Sequence, residues 1–486
     1  MARLHSRTGS NGWQRGIGMN LERVDTIAQQ FRGTRKKYWD GIRIRNFLIR
    51  LLFTWVIGAV PLAAAAAQPA IEPIEPPVRA SFDAALLAKG AQLGALGNCM
   101  GCHTAPEGKP YSGGLPLKTP FGTIYATNIT PDVETGIGRW SETAFRRAMH
   151  EGVDRDGRNL YPVFPYDHLT KVTDDDVKAI YAFVMTREPV RAETPPNQVP
   201  FPFNIRGLIG VWKSLFFERG RFQPDPAQSA EWNRGAYLVE GVGHCGACHT
   251  PRNFLGAEKK TELLAGGEAE NWHAPALNAA SPAPVPWTAE QLYRYLRYGF
   301  DDVHDITAGP MAAVTHNLAV VPEQDLRAIT AYIASLDTEP TLARRQRADE
   351  ALAYAKRAQT SATAAGPRPA AADGIRSAQN GAAIYAGACA LCHDNGRTSS
   401  SGGALHLALS TSVANPTPGN LVSIILQGIT PPEGERGRWM PAFAGSFTAE
   451  QVSDLVAYLR ADFGKAPAWR DVEEEVRKVM QVKEQP

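Results

Sequence analysis

Cys99-Met100-Gly101-Cys102-His103 is the first of three C-x-x-C-H motifs in this sequence. The other two use the remaining cysteines, so no cysteine of the 6 lies outside a motif. They are Cys245-Gly246-Ala247-Cys248-His249 and Cys389-Ala390-Leu391-Cys392-His393. The first cysteines of successive motifs lie 146 and then 144 residues apart. A motif that returns at a nearly constant interval predicts tandem copies of one structural unit.

C-x-x-C-H is the attachment motif for c-type haem. Two thiols at this spacing reach the two vinyl groups of one porphyrin, and the adjacent histidine reaches the iron. A zinc site or a redox-active dithiol would also use two such cysteines, but neither needs the histidine. Because only 11 of 486 residues are His, three chance histidines in this place are on the order of 1 in 10⁵. We therefore predict three covalently bound haem c groups, with His103, His249 and His393 as the proximal iron ligands.

The surroundings of the motifs predict the fold class. A Gly/Ala-rich helical stretch precedes each motif, and a short amphipathic helix follows it after an irregular region. We predict a mainly α fold of three tandem cytochrome c-type domains joined by irregular connectors. The predicted segments are a signal peptide with a long basic n-region at 1–67, domain 1 at 80–195, an apolar connector at 196–228, domain 2 at 229–345, a linker at 346–373, domain 3 at 374–464 and an amphipathic tail at 465–486.

Two methionines are candidates for the distal iron ligand. Met311 follows Gly309-Pro310 in the second domain, and Met440 precedes Pro441 in the third. A neutral thioether is a common sixth ligand of c-type haem and raises its reduction potential. The alternative for any methionine is core packing, but the neighbouring Pro and Gly residues favour iron ligation at both positions.

The first domain departs from this pattern. Alignment of the first two domains places Phe164 where the second has Met311, and phenylalanine cannot bind iron. His168, four residues later, is the nearest donor, so the first haem is either ligated by His103 and His168 or five-coordinate. Met149 and His150 remain alternatives. The His103/His168 arrangement and the five-coordinate arrangement each predict a lower potential than a His/Met site.

The N-terminus is typical of an export signal. Residues 1–50 hold eleven Lys/Arg and three Asp/Glu, a charge of +8, and the rest of the chain carries −6 within a total of +2. The apolar stretch 51–60 and an alanine run at 63–67 follow. This layout predicts a cleaved signal peptide; a retained anchor is the alternative, although a membrane span needs roughly 20 apolar residues. A total charge of +2 also argues against nucleic-acid binding driven by bulk charge.

The chain resembles the triheme cytochrome c subunits of membrane-bound bacterial dehydrogenases, such as the alcohol and gluconate 2-dehydrogenases. The resemblance covers about residues 80–464. The phrases that carry it are Tyr125-Ala126-Thr127-Asn128-Ile129-Thr130-Pro131-Asp132, Asp156-Gly157-Arg158-Asn159-Leu160-Tyr161-Pro162, Asn233-Arg234-Gly235-Ala236-Tyr237-Leu238-Val239-Glu240 and His249-Thr250-Pro251-Arg252-Asn253.

The resemblance implies an electron carrier that is not catalytic alone. It implies a catalytic dehydrogenase partner of the quinoprotein, flavoprotein or molybdenum type, and ubiquinone or a terminal oxidase as the acceptor. It also implies a periplasmic location with peripheral attachment to the membrane surface. Phe164 with the following Tyr166-Asp167-His168 resembles the branch that pairs with molybdenum subunits oxidising aldehydes or N-heterocycles. Two other functions remain open, a multihaem peroxidase with an open first haem and a stand-alone periplasmic electron shuttle.

Overall fold

The computed structural model describes residues 68–337, 341–360, 376–394, 405–430 and 439–482. The predicted signal peptide at 1–67 lies outside these residues, as does the linker beyond residue 360. Within the described ranges, no helix is both long enough and apolar enough to cross a membrane.

The first unit is built around two crossing helices. Its first helix begins at Asp83, whose carboxylate accepts hydrogen bonds from the amides of Ala85 and Leu86, and its last packs across the first. The elements of this unit are the 3₁₀ turn Arg79–Ser81, α1 (Ala84–Leu96), α2 (Cys99–Cys102), β1 (Pro116–Thr119), β2 (Gly122–Tyr125), α3 (Glu142–Glu151), α4 (Tyr166–Leu169) and α5 (Asp174–Met185). The connector that follows contains one helix, α6 (Arg206–Phe216).

The second unit repeats this order. The side chain of Ser229 caps its first helix by accepting from the amide of Trp232, and Thr288 with Gln291 forms a capping box that begins α9. The elements are α7 (Ala230–Glu240), α8 (Gly246–His249), the 3₁₀ turn Lys260–Glu262, β3 (Gly267–Ala269), β4 (Trp272–Ala274), α9 (Ala289–Tyr298), β5 (Phe300–Asp301), β6 (Asp305–Ile306), α10 (Pro310–Leu318) and α11 (Glu323–Leu336). Each of the strand pairs β1–β2, β3–β4 and β5–β6 is an antiparallel two-stranded ribbon.

The third unit follows helix α12 (Leu342–Thr360). Its elements are α13 (Arg376–Ala388), α14 (Ala390–His393), the 3₁₀ turn Leu407–Leu409, α15 (Thr411–Ala414), α16 (Gly419–Gln427) and α17 (Ala449–Asp462), and the tail forms α18 (Val472–Val482). The tail helix packs on this unit, because Val476 and Val479 are buried in its core and the Trp469 indole donates to the Asn415 carbonyl. Its apolar face is therefore used within the chain.

Glycine makes each helix crossing possible. A Cβ atom on Gly90 would lie 2.0 Å from the Ala179 carbonyl oxygen. The equivalent distances are 1.9 Å from Gly235 to the Ala328 oxygen and 2.3 Å from Gly381 to the Asp454 oxygen. These backbones approach more closely than any side chain permits, so the helix before each motif and the helix that ends each unit are held in direct contact.

The cores show how the units are grouped. One hydrophobic cluster runs through the first two units and contains residues such as Leu93, Val177, Leu238 and Leu326. A second cluster fills the third unit, with Val422 and Leu455 at its centre. The mainly α fold with few strands agrees with the sequence prediction.

Both predicted connectors contain a helix where the sequence analysis predicts irregular structure. Lys213 of α6 is buried and its ammonium donates to the carbonyls of Glu151 and Gly152, at 2.7 and 2.6 Å, where α3 ends. A cation at a helix C-terminus satisfies carbonyls that lack an intrahelical partner. Residues 342–360 contain neither Gly nor Pro and are rich in Ala and Arg, which favours helix over linker.

Two glycines of α13 provide a test of the crossing. We expect Gly381→Ala to destabilise the third unit by about 1–3 kcal/mol, the usual cost of overpacking, because the added methyl group would overlap the Asp454 carbonyl. Gly387, in the same helix, faces open space, so Gly387→Ala should leave stability unchanged or raise it by up to about 1 kcal/mol. Denaturant unfolding of the haem-loaded protein measures both. Equal midpoints for the two variants would contradict the role of the crossing.

Candidate haem-binding sites

The six cysteines lie in three short helical turns, α2, α8 and α14, or at the residue just before them. None forms a disulfide. Burial raises the pKa of Cys99 and of Cys245 to about 12, and that of Cys389 to about 11. Thiols with such pKa values hold their protons at neutral pH, unlike the low-pKa thiolates of redox-active dithiols. Each motif therefore holds two separate thiols, as thioether attachment of haem c requires.

All three motif histidines are oriented in the same way. The Nδ1 atom of His103 donates a hydrogen bond of 2.7 Å to the Thr127 carbonyl. The corresponding bonds are 2.6 Å from His249 to the Pro275 carbonyl and 2.9 Å from His393 to the Leu405 carbonyl. A backbone acceptor at Nδ1 fixes the proton there and leaves Nε2 as the atom that can bind a metal.

Burial reinforces this state in two of the three histidines. It lowers the pKa of His103 and of His249, so both rings are neutral at physiological pH. Iron binds the neutral imidazole, because a protonated ring has no lone pair to donate. Two cysteines and one oriented, neutral histidine form a donor set that fits covalently bound haem c.

The candidate distal methionines are held by their backbones. Gly309, with a φ of 57°, packs against the indole of Trp272 and leads into α10, where Met311 lies in the first turn. Met440 pairs with Ile429 through two backbone hydrogen bonds of 2.9 Å. Both thioether side chains are only partly buried, and both lie at the edge of the core rather than inside it.

His168 does not have a nitrogen available for iron in this structure. Its Nδ1 atom donates to the Glu240 carbonyl at 3.0 Å, and its Nε2 atom contacts Glu258 Oε1 at 2.8 Å. The ring packs on the second motif, since a Cβ atom on Gly246 would lie 2.8 Å from His168 Cε1. The assignment of His168 as the distal ligand of the first haem is therefore not supported.

An ion pair with Glu258 accounts for the position of the His168 side chain. Burial alone would lower its pKa, but the hydrogen bond and negative charge of Glu258 outweigh this and raise the pKa. The same bond lowers the pKa of Glu258 despite its burial. The pair is an ion pair that joins the first unit to the second. No sequence pattern indicated it, because the two residues are 90 positions apart.

The other first-unit alternatives are also engaged elsewhere. Met149 is buried in the shared core. His150 is buried, and its Nδ1 atom accepts from the Arg221 guanidinium. Burial and that guanidinium lower the pKa of His150 to about 4, so its ring is neutral. Phe164, which aligns with Met311 of the second unit, packs against the core.

The first and second motifs lie against each other. Asn98 and His244, the residues just before the first cysteine of each motif, both have positive φ values, 47° and 36°. His244 Nε2 lies 3.1 Å from the Gly97 carbonyl, and Asn317 of the second unit donates to Asn98 Oδ1 at 2.6 Å. These contacts hold the first two motifs in direct proximity. Sequence spacing alone did not reveal this pairing.

Two protein-family models match the chain. The model "Cytochrome c" matches residues 87–188, and the model "Cytochrome C oxidase, cbb3-type, subunit III" matches residues 376–459. These regions contain the first and third motifs. The matches indicate cytochrome c domains, which bind haem c covalently.

Comparison with curated proteins gives longer matches. The chain is 46% identical over 403 residues to a nicotinate dehydrogenase subunit of Pseudomonas putida, a match covering 82% of this chain and 32% of that protein. It thus spans about a third of the length of that relative. It is 35% identical over 408 residues to the fructose dehydrogenase cytochrome subunit of Gluconobacter japonicus, covering 82% of this chain and 83% of that one.

A third relative has a similar extent. The chain is 34% identical over 408 residues to the cytochrome c subunit of alcohol dehydrogenase (quinone) from Gluconacetobacter polyoxogenes, covering 79% of this chain and 82% of that one. The matches to the fructose and alcohol dehydrogenase subunits cover most of this chain and most of each relative. The chain therefore belongs to the family of dehydrogenase cytochrome c subunits.

Proposed function

We propose that this chain carries three covalently bound haem c groups and transfers electrons from a catalytic dehydrogenase subunit to a quinone or a terminal oxidase. The observation that carries the proposal is the threefold repeat of two cysteines beside a histidine whose Nδ1 atom is bonded to a backbone carbonyl. Such a repeat is typical of a chain of redox centres.

Each residue of the proposed sites has a separate task. Cys99 and Cys102, Cys245 and Cys248, and Cys389 and Cys392 anchor one porphyrin each, and His103, His249 and His393 bind the iron from the proximal side. Met311 and Met440 bind it from the distal side of the second and third sites. When bound, haem c supplies a one-electron Fe(III)/Fe(II) couple. The protein sets the potential of that couple through the axial ligands, their hydrogen bonds and burial.

The relatives support one identity for the donor subunit. The greater identity to the nicotinate dehydrogenase subunit than to the sugar and alcohol dehydrogenase subunits supports a partner that oxidises an N-heteroaromatic acid. This agrees with the branch that Phe164 indicates. One relative is the cytochrome c subunit of an alcohol dehydrogenase (quinone), which supports a quinone as the acceptor.

We also propose that the chain is exported by its N-terminal signal and attaches to the membrane surface on the periplasmic side. An exposed apolar patch supports the attachment. It comprises connector and loop side chains that are 42–88% exposed: Phe201, Phe203, Ile205, Leu208, Leu215 and Phe254. The patch is continuous, because Phe203 packs on Phe121, which covers Gly256, and the Trp212 indole donates to the Leu255 carbonyl. Arg206, in the same segment, is exposed, and its guanidinium donates to the Asn159 carbonyl and lies 4.6 Å from the centroid of the Tyr161 ring.

Mass spectrometry of the exported protein tests the haem count. We expect an added mass of three haem groups, because each motif holds one. Cys389→Ala combined with Cys392→Ala should reduce this to two, since that motif can then no longer form thioether bonds. The matched control is a double variant with Cys102→Ala and Cys248→Ala. It also removes two cysteines, but it leaves one thioether cysteine in each of two motifs. Exported protein without added tetrapyrrole mass would contradict the proposed function.

The axial methionines have a spectroscopic signature. We expect Met311→Leu and Met440→Leu each to remove part of the thioether–iron charge-transfer band, and the double variant to abolish it. The potential of the altered haem should fall, because a thioether favours Fe(II). Met149→Leu, in the core, and His168→Gln, in the ion pair, should leave the band intact. Persistence of the band in the double variant would refute the assignment of both residues.

Vesicle binding tests the membrane surface. We expect a Phe201→Ser and Phe254→Ser double variant to bind vesicles containing phosphatidylglycerol at least about tenfold more weakly, since burial of one Phe side chain contributes about 1.5–3 kcal/mol. Val320→Ser, at an exposed apolar residue of another loop, is the control. If the double variant instead binds vesicles normally but loses the dehydrogenase subunit, the patch is a protein interface.

A further inference from the structure

One asparagine of the third unit contacts the second haem site. The carboxamide of Asn420, at the start of α16, accepts from the amide of His273 and donates to the carbonyl of the same residue, both at 2.8 Å. Asn420 is 8% exposed. Its side chain thereby forms the two hydrogen bonds that the backbone of a neighbouring strand would form with β4. This two-bond contact fixes both the distance and the orientation between the two units.

Strand β4, to which Asn420 is hydrogen-bonded, supports both proposed iron ligands of the second site. Two residues after His273, the Pro275 carbonyl accepts the 2.6 Å hydrogen bond from His249, the proposed proximal ligand. One residue before it, the Trp272 indole packs against Gly309, in the loop that presents Met311. Any displacement of β4 therefore moves the acceptor of the proximal histidine and the support of the distal loop together.

The same helix reaches the third site at its other end. The Ile425 and Leu426 carbonyls of α16 accept from the amides of Phe443 and Ala444, at 3.0 and 3.1 Å. Just beyond the helix, Ile429 pairs with Met440, the proposed distal ligand of the third haem. The 9 residues of this helix span about 13 Å, so α16 is a short rigid link between the two proposed redox centres.

We propose that Asn420 is a positioning residue that sets both the electron transfer between the second and third haems and the potential of the second. This inference rests on the proposed function. The hydrogen bond from His249 Nδ1 to Pro275 makes the imidazole a stronger donor to iron, which favours Fe(III). Loss of the Asn420 contact loosens β4 and weakens that bond. With Met311 still bound, the potential of the second haem then rises, and electron exchange with the third haem slows because this contact no longer fixes their separation.

The test uses the full chain with all haems attached and the variants Asn420→Ala and Asn420→Asp. The aspartate keeps the acceptor for the His273 amide but places a negative charge against its carbonyl. We expect both variants to slow electron exchange between the second and third haems severalfold after rapid photochemical reduction, and to shift the potential of the second haem upward in a redox titration. A Met440→Leu background marks the third haem in the spectrum.

Asn278→Ala is the matched control. Asn278 also makes two hydrogen bonds with its side chain, to the Leu263 carbonyl and the Ala280 amide, but both partners lie within the second unit. We expect it to leave the potential of the second haem and the exchange rate unchanged. Wild-type exchange rates and potentials in fully haem-loaded Asn420→Ala would overturn the inference. Absence of inter-haem exchange in the wild-type protein would instead refute the proposed function.

Discussion

The hydrogen bond from each motif histidine to a backbone carbonyl is the interaction on which the proposed sites depend. The cysteines fix where a porphyrin is attached, but they do not orient the imidazole. The carbonyl does so, and it comes from a residue 24, 26 or 12 positions further along the chain. In the first two units a strand ribbon brings it back, because Thr127 follows β2 and Pro275 directly follows β4. The ribbons are therefore part of the iron site, although neither contributes a ligand.

The sequence predicted the parts of the sites that are local in the chain. The two-residue spacing of the cysteines, the adjacent histidine and the amphipathic helix of each unit all follow from covalent geometry and periodicity. Partners distant in sequence could not be predicted in the same way. The imidazole of His168 can bind a metal or a carboxylate, but only the fold shows that it pairs with Glu258. The helix at 342–360 could have been predicted, because that stretch contains no residue that breaks a helix.

The three units are not equivalent in how they are joined. The first two share one core, an ion pair and direct contact between their motifs, so they form one rigid pair of sites. The third has its own core, and a small cluster around Val285, Ala348 and Leu405 adds to its attachment. Among the described residues, the joint includes this cluster and the Asn420–His273 contact. Under the proposed function, one buried asparagine at this joint therefore links two redox centres.

The first site differs from the others in chemistry as well as in position. Phe164 offers no donor atom, and the neighbouring candidates are engaged in a core, an ion pair or a guanidinium contact. A haem without a thioether ligand has a lower potential than one with it. Under the proposed assignment, an electron at the first site therefore moves downhill to the second, and the contact between the two motifs keeps that step short. Under the same assignment, this ligand difference would give electron transfer between the first two sites a direction without any moving part.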